Sequence, residues 1–417
     1  MLKDKLEVKL ESMDILNDVL RRFGSLLKPE LSAQCNDALF AQLASTRAAT
    51  RKRAISCIAA LSAALSDKLL SQLVGSIVER MKMPAVDLDL GRTYIQTLSA
   101  ISRSGGYRLG RQLELVMPLV LQQCEPGSSA PGASDPEMIE SCLQAFESFV
   151  SRCPAEVGAY EEPIAKASLH YLRFDPNYAD DDEMEEDDND EEEEEMEDDE
   201  DDENYSDDDD VSWKVRRAAA KVLSAALVSR PDKLAAMVPR VAPTLISRFR
   251  EREENVKMDV FATFNVLLEQ VGIANRAASE AAAADAMVVD GEGGGAVSPA
   301  ATALLAELPR LIKALSRQLQ EKAVRTRTAA FNCLRQLASS LPGCLGEHAS
   351  SLVPGVVRAL KDASANPLRI EALAFLQLAL STHPPAVFQP HAATLVPTVL
   401  SLVEDRYYKI TAEALSA

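Results

Sequence analysis

Apolar positions along this chain recur with the period of an α-helix far more often than with the alternation of a strand. In the stretch SWKVRRAAAKVLSAAL, residues 212–227, Val215, Ala219, Val222, Leu223 and Ala226 fall on one helical face at i, i+4, i+7, i+8 and i+11. The pattern predicts an amphipathic helix with Ser212 as N-cap, the aspartates before it favouring the positive end of the helix dipole. The same layout returns elsewhere: a basic residue, a small or apolar one three positions on, and a large apolar one seven on. Arg51, Ala54 and Ile58 follow it, as do Lys257, Val260 and Phe264; Arg327, Ala330 and Leu334; and Arg369, Ala372 and Leu376. With Arg216 as the reference, the corresponding anchors are Lys9, Arg51, Arg92, Glu140, Lys257, Arg327, Arg369 and Lys409, Glu140 being the one acidic exception.

Successive anchors lie 42, 41, 48, 76, 41, 70, 42 and 40 residues apart. A period of roughly 40–47 residues is that of two-helix HEAT-type repeats. The longest interval contains a run of acids and the next longest an Ala/Gly-rich stretch, Ala277 to Ala301, so each is one repeat carrying an insertion. Ahead of most anchors lies another apolar segment with an internal proline: Pro118, Pro239, Pro354 and Pro397. Proline removes a helix hydrogen bond, so its recurrence predicts a shared bend in the first helix of each repeat. One helix pair cannot bury its apolar stripe alone, and stacking on neighbours supplies the core.

The expected fold is therefore all-α: a HEAT-repeat superhelical solenoid of antiparallel helix pairs with two low-complexity insertions. Its expected divisions are HEAT repeats over 1–178 (the first incomplete), an acidic disordered insertion over 179–211, repeats over 212–274, an Ala/Gly-rich linker over 275–302, and repeats over 303–417 (the last incomplete). Both ends fall inside the pattern, and the chain reads as an internal fragment of a longer solenoid.

Charge sharpens this picture. The 417 residues carry a net −20, yet 25 of the 31 positions from Asp180 to Asp210 are Asp or Glu. The remainder holds 44 basic against 39 acidic residues, so the body is mildly basic. The tract reads as a solvated, self-repelling segment, or as one that faces a partner or shields the basic body. Ser206, followed by four aspartates, is a candidate for phosphorylation by an acid-directed kinase. The seven cysteines form no CxxC pair, which points to reduced thiols in a cytoplasmic and nuclear protein rather than a disulfide framework. No signal peptide opens the chain and no apolar run is expected to span a bilayer, which takes about 20 residues.

Sites for chemistry are absent from the pattern. There is no GxSxG elbow, Walker loop or dinucleotide fingerprint, and Gly293–Gly295 follow no strand that would make them a phosphate cradle. Only Cys344 and His348 share a metal-ligand spacing, without a further ligand pair nearby. Neither catalysis, a cofactor nor a metal is expected. Arg216 and its equivalents read as structural, tying neighbouring repeats as a ladder. Lys214 and Arg217 flank the apolar stripe and are candidate partner contacts, as are Arg248, Arg250 and Arg252 at the turn between two helices. Trp213, the sole tryptophan, begins a core helix and reads as packed, although tryptophan is enriched at interfaces.

DPNYADDDE, the acidic tract, YSDDDDVSWKVRRAAAKVL and LISRFREREENVKMDVF closely resemble the cullin-associated, neddylation-dissociated proteins, also described as TATA-binding-protein-interacting proteins. RTYIQTLSAISR, ESCLQAFESFVSRCP, LVPGVV and YKITAEAL match as well, in the order of that family's N-terminal half, from about Leu6 to Leu415. The resemblance implies a large HEAT protein that wraps an unmodified cullin–RING ubiquitin ligase core. It implies an exchange factor for substrate-receptor modules, acting through a transient ternary complex in which each ligand weakens the other. Two departures stand out: the family's first repeats and C-terminal half are missing, and the Ala277–Ala301 insertion is unlike an ordinary family loop.

The expected function is thus a protein-binding scaffold, monomeric apart from its partner. Competing readings are a HEAT-type nuclear transport receptor and a chaperone for basic proteins working through the acidic tract. Direct nucleic-acid binding is disfavoured, because the clustered acids repel phosphate and no aromatic stacking platform is visible.

Overall fold

In the computed structural model, residues 2–83, 87–174, 211–288 and 296–417 are described. The expected acidic insertion, except Val211, lies outside them, as do Ser206 and the tip of the Ala/Gly-rich stretch. Among the described residues there are helices and turns and no strand. In chain order the helices are α1 (Leu2–Phe23), α2 (Pro29–Leu43), α3 (Ala48–Ser62), α4 (Asp67–Met81), α5 (Leu88–Gly105), α6 (Leu113–Cys124) and α7 (Pro136–Arg152). The one-turn α8 (Pro154–Val157) leads to α9 (Glu161–Leu172), α10 (Ser212–Ser229), α11 (Leu234–Ser247), α12 (Glu254–Val288), α13 (Pro299–Ala306) and α14 (Leu308–Gln318). The last are α15 (Val324–Ser340), α16 (Ala349–Lys361), α17 (Asn366–Thr382), the one-turn α18 (Pro385–Phe388), α19 (Ala392–Val403) and α20 (Tyr408–Ser416).

Every anchor but Lys9 lies near the start of a second helix: Arg51 in α3, Arg92 in α5, Glu140 in α7, Arg216 in α10, Lys257 in α12, Arg327 in α15, Arg369 in α17 and Lys409 in α20. Lys9 lies further along α1. These second helices form one unbroken row, α1–α3–α5–α7–α10–α12–α15–α17–α20, each packed along its neighbour. The first helices α2, α4, α6, α9, α11, α14, α16 and α19 form the other row and touch their neighbours over fewer residues. A row packed closely along its length beside a looser one bends toward the closer row, so the anchor-bearing helices line the inside of the curve. The buried apolar side chains form a single cluster from Met13 to Ala414. Each fully buried Leu, Ile or Phe in it contributes about 1.5–3 kcal/mol.

Small and hydroxyl side chains allow the close inner packing. Ser99 donates to the carbonyl of Gln144 (3.2 Å) while Ser148 donates back to the carbonyl of Ser99 (3.2 Å), joining α5 to α7. Thr263 of α12 donates to the Ala220 carbonyl of α10 at 3.1 Å. Gly272 sits so close to α15 that a Cβ built on it would lie 2.8 Å from Ser340 Oγ and 3.0 Å from Ser340 Cα.

The prolines share a register. Pro118 in α6, Pro239 in α11, Pro354 in α16 and Pro397 in α19 are each the sixth residue of their helix. The hydrogen bond each one forfeits would reach a carbonyl in the first turn, where water can satisfy it.

Two expectations change. Ser212 is the first helical residue rather than the N-cap, a place taken by Val211. Its hydroxyl is buried and accepts from Arg216 Nη1 at 2.8 Å, so it serves the guanidinium one turn on. The linker expected at 275–302 is helical through Val288, because its Ala-rich first half has high helix propensity. Beyond the undescribed tip, Ser298 N donates to Asn275 Oδ1 (3.0 Å), Ser279 Oγ donates to the Ala296 carbonyl (3.2 Å), and Ser298 Oγ caps α13. The returning chain is thereby stitched to α12. Finally, the 19-residue segment Pro385–Val403 is apolar enough to pass as a membrane span by length and composition. Its continuous part, α19, has only 12 residues, about 18 Å of helix, short of a bilayer core. α19 instead packs Leu395 and Leu402 into the repeat core.

Candidate partner-binding surface

The anchors build the inner edge. Arg216 is buried, with its Nε 3.1 Å from Glu251, itself buried just ahead of α12. Its Nη1 also donates to the Phe174 carbonyl at 3.0 Å, closing the end of α9. The device repeats: Arg327 meets Asp362 at 2.9 Å and Arg369 meets Asp405 at 2.7 Å, each acid preceding the next inner helix. Arg51 reaches Asp89 at 3.5 Å, and Arg92 pairs with Asp89 and Glu137, in the first turns of α5 and α7. The acids sit where the helix dipole is positive.

Three of them also fold their own turn. Glu251, Asp362 and Asp405 accept the backbone N–H two residues on, from Glu253 (3.2 Å), Ser364 (3.1 Å) and Tyr407 (2.8 Å). Burial pushes the Glu251 carboxyl up, but Arg248 and Arg216 outweigh it and hold the group below the usual carboxylate range. Asp362 is lowered by the Ser364 hydroxyl and then Arg327, and Asp405 by the Tyr407 amide and then Arg369. These acids were not singled out from sequence. The signal was present in their distance of 35 or 36 residues from the anchors they pair with.

Beside this ladder the first two turns of α10 gather three of the residues noted from sequence. Lys214 Nζ lies 5.6 Å and Arg217 Cζ 5.7 Å from the centre of the Trp213 ring. Arg217 also pairs with Asp259 of α12 at 2.6 Å while staying 32% exposed. Trp213 is partly buried against the core. The result is a partly exposed aromatic face flanked by two cations on the concave side.

The second candidate group does not act as one. Phe249 is fully buried, stacked on Phe261 (4.4 Å between centroids) and edge-on to Phe264 (5.4 Å). It pins the short 3-10 turn Arg248–Arg250, so the flanking arginines diverge. Arg248 turns inward to Glu251, whereas Arg250 and Arg252 are exposed.

No group of three or more His, Cys, Asp or Glu is placed to hold a metal among the described residues. The Cys344 thiol is pushed up to about 12 by burial, which keeps it protonated and a poor ligand. His383, also buried, accepts the Leu345 amide at Nε2 (3.0 Å) and donates from Nδ1 to the Ala379 carbonyl (2.9 Å). Both of its nitrogens serve the backbone.

Among solved structures, yeast importin-β (Kap95p) aligns with TM-score 0.61 at 12% identity, covering 95% of this chain and 41% of that one. Importin-β in a polyethylene glycol condition gives 0.59 at 13% identity, covering 97% and 43%. At these identities the likeness establishes the HEAT-repeat solenoid fold alone. Residues 343–417 match the family described as CAND1-like, TPR repeats. Cullin-associated NEDD8-dissociated protein 1 of Arabidopsis thaliana is 42% identical over 409 residues, covering 98% of this chain and 32% of that protein. Cullin-associated NEDD8-dissociated protein 2 of Rattus norvegicus is 43% identical over 416 residues, covering 99% of this chain and 31% of that protein. The chain thus spans about a third of the length of these curated relatives, and it belongs to the family of cullin-associated NEDD8-dissociated proteins.

Proposed function

We propose that the chain is a non-enzymatic scaffold segment that binds an unmodified cullin–RING ubiquitin ligase core and contributes to exchange of its substrate-receptor modules. The observation that carries this reading is the alignment to relatives named for cullin association and NEDD8 dissociation, which runs over nearly all of the chain. The concave row of inner helices, with Trp213, Lys214 and Arg217 on it, is the surface that would meet the cullin. Such a scaffold performs no bond chemistry; it shifts assembly by binding one state of its partner better than another. We place it in the cytoplasm and nucleus, acting as a monomer apart from its partner.

A pull-down of this chain with a purified cullin–RING core tests the reading, with and without the ubiquitin-like modifier. Capture of the unmodified core alone supports it. Equal capture of both forms removes the modifier-sensitive part, and capture of neither shows that these repeats do not suffice for cullin binding.

A further inference from the structure

The inner helices near the start of the chain enclose a groove of about 770 Å³ between α1, α3, α5 and α7. Ile55, Ala59, Gln96 and Gln144 line it together with five cations: Arg21, Arg51, Lys52, Arg92 and Arg103. Only two carboxylates line it, Asp89 and Glu137, and both are held by Arg51 and Arg92 within the ladder.

Arg21, Lys52 and Arg103 remain. Arg21 hydrogen-bonds Asn17, Arg103 hydrogen-bonds Ser99, and none of the three pairs with a carboxylate among the described residues. The ladder therefore leaves an uncompensated positive charge of three on the walls of one groove. Low-dielectric walls focus such a field and raise the local concentration of a counter-charged ligand.

The cations also have a spatial order. Lys52 is the fifth residue of α3, near its start, while Arg21 and Arg103 lie in the last turns of α1 and α5. In repeat register Arg103 stands ten residues beyond Lys52, about 15 Å along the helix axis. An acidic side chain at each end of a segment of that length would meet a cation, in a groove also lined by apolar and amide side chains.

From this we infer that the α1–α7 groove binds an acidic segment of a partner polypeptide, anchored by Lys52 at one end and by Arg21 and Arg103 at the other. The inference deepens the cullin-scaffold reading and rests on it for the partner's identity, while the groove's preference for acidic polypeptide stands separately. Charge complementarity selects this occupant: phosphate-bearing nucleic acid would add aromatic stacking, and the groove lining holds no aromatic residue.

The test uses the full chain, a fluorescein-labelled oligoglutamate and an oligoglutamine of equal length, followed by anisotropy. Oligoglutamate is expected to bind and oligoglutamine not, with affinity falling steeply between about 50 and 300 mM salt. The triple variant R21E/K52E/R103E should weaken oligoglutamate binding by at least about tenfold with helical content unchanged. The triple variant R21Q/K52Q/R103Q should fall between. Equal binding to the natural chain and the reversed variant overturns the inference, as does no binding to the natural chain. Binding seen only after deletion of residues 180–210 would give the groove to the chain's own acids and overturn its assignment to a partner. The cullin–RING core separates the two readings. Equal capture by the natural chain and the reversed variant would sink the groove and leave the scaffold reading. Oligoglutamate binding without core capture would do the reverse.

Discussion

Arg216 and Glu251 form a buried ion pair 3.1 Å apart that joins the start of α10 to the turn ahead of α12. Side-chain exposure is 3% for the arginine and 2% for the glutamate. The guanidinium also holds Phe174 O and Ser212 Oγ, and the carboxylate also holds the Glu253 amide. One cation thereby fixes three chain segments. Related pairs at Arg327–Asp362 and Arg369–Asp405 are more exposed on the acidic side, so the burial at Arg216 sets this joint apart.

Removing one partner should therefore be far worse than removing both. Glu251→Ala leaves Arg216 and Arg248 facing an empty buried site and should destabilise by about 3–5 kcal/mol. Arg216→Met with Glu251→Leu should recover most of that loss. Thermal unfolding followed by calorimetry, with hydrogen exchange over α10 and α12, checks both; a harmless Glu251→Ala would mean water already screens the pair.

Acid should loosen the ladder. Glu251, Asp362 and Asp405 all have carboxyls held below their ordinary values. Their contribution is then complete above the unfolded carboxylate range near 4 and is lost as pH falls through the lower folded values. Melting temperature should be flat above about pH 5.5 and fall below about pH 4.5. Asp405→Asn should reduce that slope while keeping its turn, because the amide oxygen can still accept from Tyr407.

Close packing of α12 on α15 predicts intolerance at Gly272. Gly272→Ala brings a methyl into Ser340, including its backbone Cα, and should cost about 1–3 kcal/mol. Ser340→Gly on the same chain should relieve part of it. Melting curves of the two single variants and the double variant measure the coupling.

Trp213 offers a built-in optical reporter. Partner contact over Lys214 and Arg217 should desolvate the partly exposed indole and shift its emission to the blue. Lys214→Ala with Arg217→Ala should weaken cullin-core binding by about tenfold, or about 1.4 kcal/mol. Emission that stays fixed at saturating core would place the contact elsewhere on the solenoid.

Much of the architecture was readable from the chain because it depends on local periodicity. The 3.6-residue apolar spacing marked the inner helices, and the repeated anchor put Arg216, Arg327 and Arg369 at equivalent places near their starts. The proline register was legible for the same reason. Where composition stood in for periodicity, the reading slipped. The residues after Ala277 looked like a linker, yet alanine is the strongest helix former and α12 runs on to Val288.

Two things were left to tertiary structure. The first is which acid answers which arginine: Glu251, Asp362 and Asp405 are far from their partners in sequence, and only stacking of one repeat on the next brings them within hydrogen-bonding distance. The second is which cations stay uncommitted. Arg51 and Lys52 are neighbours in sequence, but helical rotation and the position of the next helix send one to Asp89 and leave the other on a groove wall. Period and anchor belong to each repeat's own residues, whereas charge pairing depends on distance between repeats, which is set only once the apolar faces have stacked.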